Sequence, residues 1–174
     1  MNLEKRLKSV SAEIAEVTDW AEHEYNKYFS KYFKGESELY NRLSSADNPI
    51  TDVELEWILT SLPLELFSVT EQLSKLRTAQ EVIKLHIKQV ERKYISTTEG
   101  SLTQKKEDAA ALTEEDKLLV TVYDSIIERV SREMAFSKEL IMSAKKIWDA
   151  RRNDGTLNPD VVHNNGTLPE YEYN

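Results

Sequence analysis

Between Leu66 and Tyr94 the chain repeats a seam of side chains at alternating steps of three and four residues: Leu66, Val69, Leu73, Leu76, Gln80, Ile83, Ile87, Val90 and Tyr94. All of them are apolar or aromatic except Gln80, and the rhythm holds without a slip. An α-helix places such positions on one continuous stripe, so the stretch reads as a helix offering a seam to another helix, within the chain or in an oligomer. The helix is expected over 63–95, about 50 Å long at about 1.5 Å per residue. Gln80 is its single polar seam residue, of the kind that fixes register or strand number at some cost in stability.

The rest of the chain supports a helical reading. Only four Gly and four Pro occur in 174 residues, which leaves little turn chemistry for a sheet-rich fold. Leu3, Leu7, Val10, Ile14 and Val17 give the N-terminal segment its own apolar phase, followed by the aromatic run Trp20, Tyr25, Tyr28, Phe29, Tyr32 and Phe33. Gly35 is expected to end that helix, and a shorter one to run from Glu36 to about Ser44. Thr51-Asp52-Val53-Glu54 has the spacing of a capping box ahead of a short helix over 52–60. Ser61-Leu62-Pro63 is expected to stop that helix and open the central one.

Ser96 to Ala111 is polar, contains Gly100 and reads as a linker long enough to reverse the chain. Thr113, followed by Glu114, Glu115 and Asp116, reads as the N-cap of a last helix over 114–152. Its seam is Val120, Tyr123, Ile127, Val130, Met134, Ser137, Ile141, Ala144 and Trp148. The expected fold is all-α: a helical region over 1–62, an antiparallel, coiled-coil-like hairpin of two long helices over 63–152 with its linker at 96–112, and a disordered acidic tail over 153–174. A two-helix hairpin cannot bury both its faces alone, so the N-terminal helices, other subunits or both should cover the rest, and a homo-oligomer is expected.

Chemistry is scarce. The chain has no cysteine, which removes thiol catalysis, disulfides and cysteine-based metal sites. His23-Glu24 begins like a zinc-protease motif, but Lys27 stands where the second histidine ligand belongs. No Glu-x-x-His pair, glycine-rich phosphate loop or nucleophile-elbow sequence occurs. No enzyme activity, metal or cofactor is therefore expected. The N-terminus has no apolar signal core and no window could span a membrane, so a cytoplasmic protein with no membrane partner is expected.

Two patches could meet nucleic acid. Asn26 to Lys34 repeats Lys-Tyr-Phe at a four-residue step, which would stack Lys27 on Lys31 and Tyr28 on Tyr32 along one helix. Rings that stack on bases beside ammonium groups that meet phosphates are what a single-stranded nucleic-acid surface requires. The plainer alternative is an aromatic face packed on the hairpin with lysines in solvent. Lys138, Lys145, Lys146, Arg151 and Arg152 gather in the last turns of the final helix, where they could bind phosphate or complement the helix dipole, and Lys145, Lys146, Arg151 and Arg152 are the candidate contacts.

Thr113-Glu114-Glu115-Asp116-Lys117, Ser131-Arg132-Glu133-Met134-Ala135-Phe136 and Ile147-Trp148 together resemble the C-terminal helix of T4-type phage recombination mediators. Tyr28 to Tyr32 is similar to their aromatic-lysine segment. The resemblance covers about a third of the chain and needs gaps, and this chain is longer and more acidic. It implies a ring-forming helical protein that binds single-stranded DNA and loads a recombinase partner. Two other readings fit the same sequence: a head-assembly or small-terminase-like adaptor without nucleic-acid affinity, and an inhibitor presenting acids such as Glu13, Glu16, Asp19, Glu22 and Glu24 to a host protein.

Overall fold

The computed structural model describes residues 3–157, with residues 3–14 and 16 described by their backbone alone. It is all-helical among these residues: α1 (Leu3–Tyr28), α2 (Ser30–Phe33), α3 (Glu36–Leu43), α4 (Asp52–Thr97), α5 (Leu102–Leu112) and α6 (Glu114–Asn153). The expected acidic tail, apart from its first residues, lies outside the described part. No described helix is long and apolar enough to cross a membrane.

The chain divides into two compact units, each drawn from two stretches of sequence. In the unit formed by residues 1–28 and 72–130, α4 and α6 pack as an antiparallel hairpin. Partner numbers fall on α6 as they rise on α4: Gln80 meets Asp124, His86 meets Asp116, and Glu91 meets Thr113. Gln80 is 4 % exposed; its Nε2 donates to Asp124 Oδ1 at 2.6 Å and to the Val120 carbonyl at 3.4 Å, while Lys84 donates to its Oε1. The polar seam residue is thus a satisfied cross-helix pin. Leu73, Ile87, Val122, Ile126 and Val130 are buried in this unit, and Tyr25 is buried with the Arg129 guanidinium 3.5 Å above its ring. Arg129 also pairs with Glu22, which ties α1 to α6.

In the unit formed by residues 29–71 and 131–174, the core is Leu39, Ile50, Leu55, Ile58, Leu62, Leu66, Leu140 and Ala144, with Trp57, Met134, Ile147 and Trp148 packed around it. Burying each large aliphatic chain contributes about 1.5–3 kcal/mol. The start of α4 is capped as the sequence requires: the Glu54 amide donates to Thr51 Oγ1 and the Thr51 amide donates to Glu54 Oε2. Glu54 is itself buried, and Arg42 at the end of α3 pairs with both of its oxygens. Arg42 also donates to the carbonyls of Asn48 and Pro49, so one guanidinium holds the whole connection from α3 to α4. At the far end of α6, Arg151 clamps Asp52 and donates to the Ile50 carbonyl at 2.8 Å.

Three features between the start of α4 and the start of α6 differ from the sequence expectation. Pro63 lies inside α4 and does not end it. Its ring is on the exposed side, while Leu55, Ile58, Leu62, Leu66 and Val69 form one buried stripe that runs straight past it. The buried face of the helix outweighs one missing hydrogen bond.

The segment read as a linker is mostly helix. Only Thr98 to Ser101 is irregular, and α5 follows with Ser101 as its N-cap, accepting from the Gln104 amide. Thr113 also behaves differently from a simple cap. Its hydroxyl lies against Glu91 and the carbonyls of Ala109 and Ala110, bonding across to α4 and back to α5.

Candidate nucleic-acid interface

The aromatic-lysine segment is not one continuous helix. α1 ends at Tyr28, Phe29 leaves helical geometry with φ −122° and ψ −35°, and the four-residue α2 begins at Ser30. The break sorts the rings. Tyr25 and Phe29 are buried, Tyr32 and Phe33 are half-buried, and Tyr28 is 43 % exposed. Each lysine sits on the ring that follows it: Lys27 Nζ is 4.6 Å from the Tyr28 centroid and Lys31 Nζ is 4.8 Å from that of Tyr32. Lys27 also meets Glu24 at 3.9 Å. The Tyr28 hydroxyl, then Glu24, hold the Lys27 ammonium above the ordinary lysine value. Lys27 and Tyr28 belong to the first unit, and Lys31 and Tyr32 to the second. The segment therefore presents two separate lysine–tyrosine pairs in place of one stacked ladder.

The four bases at the end of α6 also separate. Lys145, Lys146 and Arg152 are exposed, whereas Arg151 is committed to Asp52 and Ile50. The sequence gives no sign of this, because Arg151 and Asp52 are 99 residues apart. Lys138, which the sequence places with these bases, completes a different set. Lys138, Lys145 and Arg152 recur every seven residues and all are exposed, with Met142 and Asp149 between them on the same stripe. Successive cations are about 10 Å apart along the helix. Their seven-residue recurrence was the available signal for this face.

The seam residues of α4 are buried or half-buried throughout, from Leu66 and Val69 in one unit to Leu73, Leu76, Gln80, Ile83, Ile87, Val90 and Tyr94 in the other. Their burial is within this chain. The exposed apolar residues of α4 lie elsewhere, with Leu64 and Phe67 at 72 % and 74 % exposure.

A groove of about 340 Å³ in the first unit is lined by Lys84, Ile87, Lys88, Glu91, Lys117 and Val120. Its acid is already engaged: Lys117 donates to Glu91 at 2.7 Å and Thr113 at 3.2 Å. The Lys117 hydrogen bond, helped by Thr113 and opposed by partial burial, holds the Glu91 carboxyl below its usual value. A carboxylate so held is a poor general base. No set of three or more acid or histidine side chains among the described residues could hold a metal ion. No protein-family model, no curated protein and no solved structure matches the chain.

Proposed function

We propose that the protein is a non-enzymatic, oligomeric helical accessory protein that binds single-stranded nucleic acid and a protein partner, in the manner of a recombination mediator. The observation that supports it best is the exposed stripe of Lys138, Lys145 and Arg152 on α6, flanked by Lys146. Cations at regular spacing on a rigid helix suit a phosphate backbone. In the other unit, the exposed Lys27–Tyr28 pair is by itself a ring beside a charge, the kind of contact a single strand uses.

The test is fluorescence anisotropy of a labelled single strand at two salt concentrations. Binding is expected to weaken at least about tenfold from low to high salt, because each phosphate contact contributes about 0.7 to the logarithmic salt slope. The variant Lys145→Ala/Lys146→Ala/Arg152→Ala is expected to lower both affinity and slope. Arg151 is left intact because its removal would disturb the clamp on α4. No binding at low salt overturns the reading.

The assembly-adaptor reading has its own support in Leu64 and Phe67, two large apolar side chains left in solvent one helical turn apart. A protein that self-associates or captures a partner through these residues, with no affinity for nucleic acid, is the outcome that reading requires.

A further inference from the structure

Glu36 is the first residue of α3 and is 2 % exposed. Its carboxyl oxygens lie 2.9 Å and 2.7 Å from Ser137 Oγ on α6. The same Oγ is 2.9 Å from the Glu133 carbonyl oxygen. A serine hydroxyl carries one proton and can serve only one of these three oxygens at a time. With Glu36 ionised, three acceptors compete for that proton in a site closed to water. With Glu36 protonated, its O–H donates to Ser137 Oγ and the Ser137 O–H donates to the Glu133 carbonyl. Every polar hydrogen is then used.

The ionisable groups that face Glu36 from the neighbouring elements are both acids, Glu133 of α6 and Glu65 of α4. The cation on its own helix, Arg42, is turned to Glu54. The start of a helix ordinarily favours a carboxylate, but here burial is the largest influence. It pushes the Glu36 carboxyl up to about 7, against the Ser137 hydrogen bond and with help from Glu133 and Glu65.

We propose that the Glu36–Ser137 contact is a proton-operated latch that holds the start of α3 on α6, closed while Glu36 carries its proton and released when the proton leaves. An ionised Glu36 cannot remain in that site without a cation, so it turns toward water and draws the first turn of α3 with it. Gly35, in the left-handed region at φ 86°, is the hinge. The other end of α3 stays fixed, because Arg42 remains paired with Glu54. The motion is a local opening that uncovers Leu39, which is buried one turn along α3 in the core of its unit. Because the two states differ by one proton, a change in acidity, or a partner that takes up the freed segment, shifts the balance between them.

The test is hydrogen exchange of the α3 amides, corrected for intrinsic rates, from pH 5.5 to 8. Wild-type protection at residues 38–42 is expected to fall at least about tenfold across this range, since each unit of pH above the folded-state value changes the balance about tenfold. Glu36→Gln, which keeps a neutral hydrogen-bonding side chain in place, is expected to hold its protection at every pH. Glu65→Gln is expected to retain the wild-type transition. Should Glu36→Gln fail to fold, carbon NMR of glutamate-labelled wild type and Glu65→Gln decides the matter. In both, one side-chain carboxyl must titrate with a midpoint between about 6 and 8. A flat wild-type exchange profile, the same pH response in a folded Glu36→Gln, or no such carboxyl overturns the proposal.

Discussion

Glu36, Glu54 and Glu91 show how three carboxyl groups of one chain are handled differently. Glu54 is buried but has a guanidinium on both oxygens and the Thr51 cap beside it. Removing that guanidinium would strand a buried charge, so Arg42→Ala is expected to destabilise the protein by about 3–5 kcal/mol in a urea titration. Glu36 has no cation and is raised; Glu91 has one and is lowered. The two therefore pull stability in opposite directions with pH. For Glu36 the folded-state value lies above the unfolded one. Its contribution is fully present below about pH 4.5 and lost as pH rises through about 7, on the order of 3 kcal/mol in all. For Glu91 the folded-state value lies below, so its smaller contribution is present above the unfolded value and lost as pH falls. Thermal melts are expected to show a decline toward alkaline pH that Glu36→Gln removes, leaving the acid-side decline in place. Apart from the place of Glu54 in the capping box, none of this was legible in the sequence. The charge states of Glu36, Glu54 and Glu91 are set only when Ser137, Arg42 and Lys117, respectively 101, 12 and 26 positions away, are brought to them.

The elements were easier to read than their ends. The seam from Leu66 to Tyr94 identified α4 because the apolar period of a helix is written directly into its residues. The start at Asp52 was written equally plainly in Thr51 and Glu54, and the end of α6 came within a residue of its expected place. Pro63 and the segment after Gly100 misled for opposite reasons. The proline rule is a local cost of about 3 kcal/mol, and it yields when several large side chains on the opposite face of the helix are buried. Pro63→Ala is accordingly expected to raise stability by roughly 1–3 kcal/mol, read as a higher midpoint of chemical denaturation. The supposed linker is rich in Lys, Glu and Ala, good helix formers, and Ser101 with Gln104 repeats the capping pattern that marked Thr51. The expected α6 seam includes the buried Val130, Ser137 and Ala144 but leaves out part of the buried face beside it. Val122, Ile126 and Leu140 are more deeply buried than Tyr123, Ile127 and Ile141. A helix with two neighbours buries a broader face than a two-helix seam. In one unit α1 joins α4 against α6, and in the other α3 does.

At the scale of the whole molecule, neither compact unit is a continuous piece of sequence. Truncation at Phe29 or Glu71 would therefore divide cores, and no single fragment carries a complete unit. The exposed connection at Gly100, where a side chain would meet only open space, is the place the chain tolerates interruption. Fragments 1–99 and 101–174 are expected to be poorly folded apart and to form a stable helical complex when coexpressed, checked by copurification and circular dichroism. The expected boundaries at 62 and 152 follow helix start and stop signals along the chain, and such local signals carry no record of which distant segments pack together.

The sequence distances between partners also set an order of events as the chain folds. Glu91 finds Thr113 and Lys117 across 22 and 26 residues. Glu36 and Asp52 must wait for Ser137 and Arg151 across 101 and 99. Closing the longer loops first costs roughly 1 kcal/mol more in chain entropy, and far less once the α4–α6 turn exists. The turn beside Gly100 is the natural nucleus. During synthesis, the acids of α3 and early α4 emerge about a hundred residues before the groups that meet them, so Glu36 spends its first seconds in water as an ordinary carboxylate and loses that water only when the middle of α6, with Ser137, closes over it.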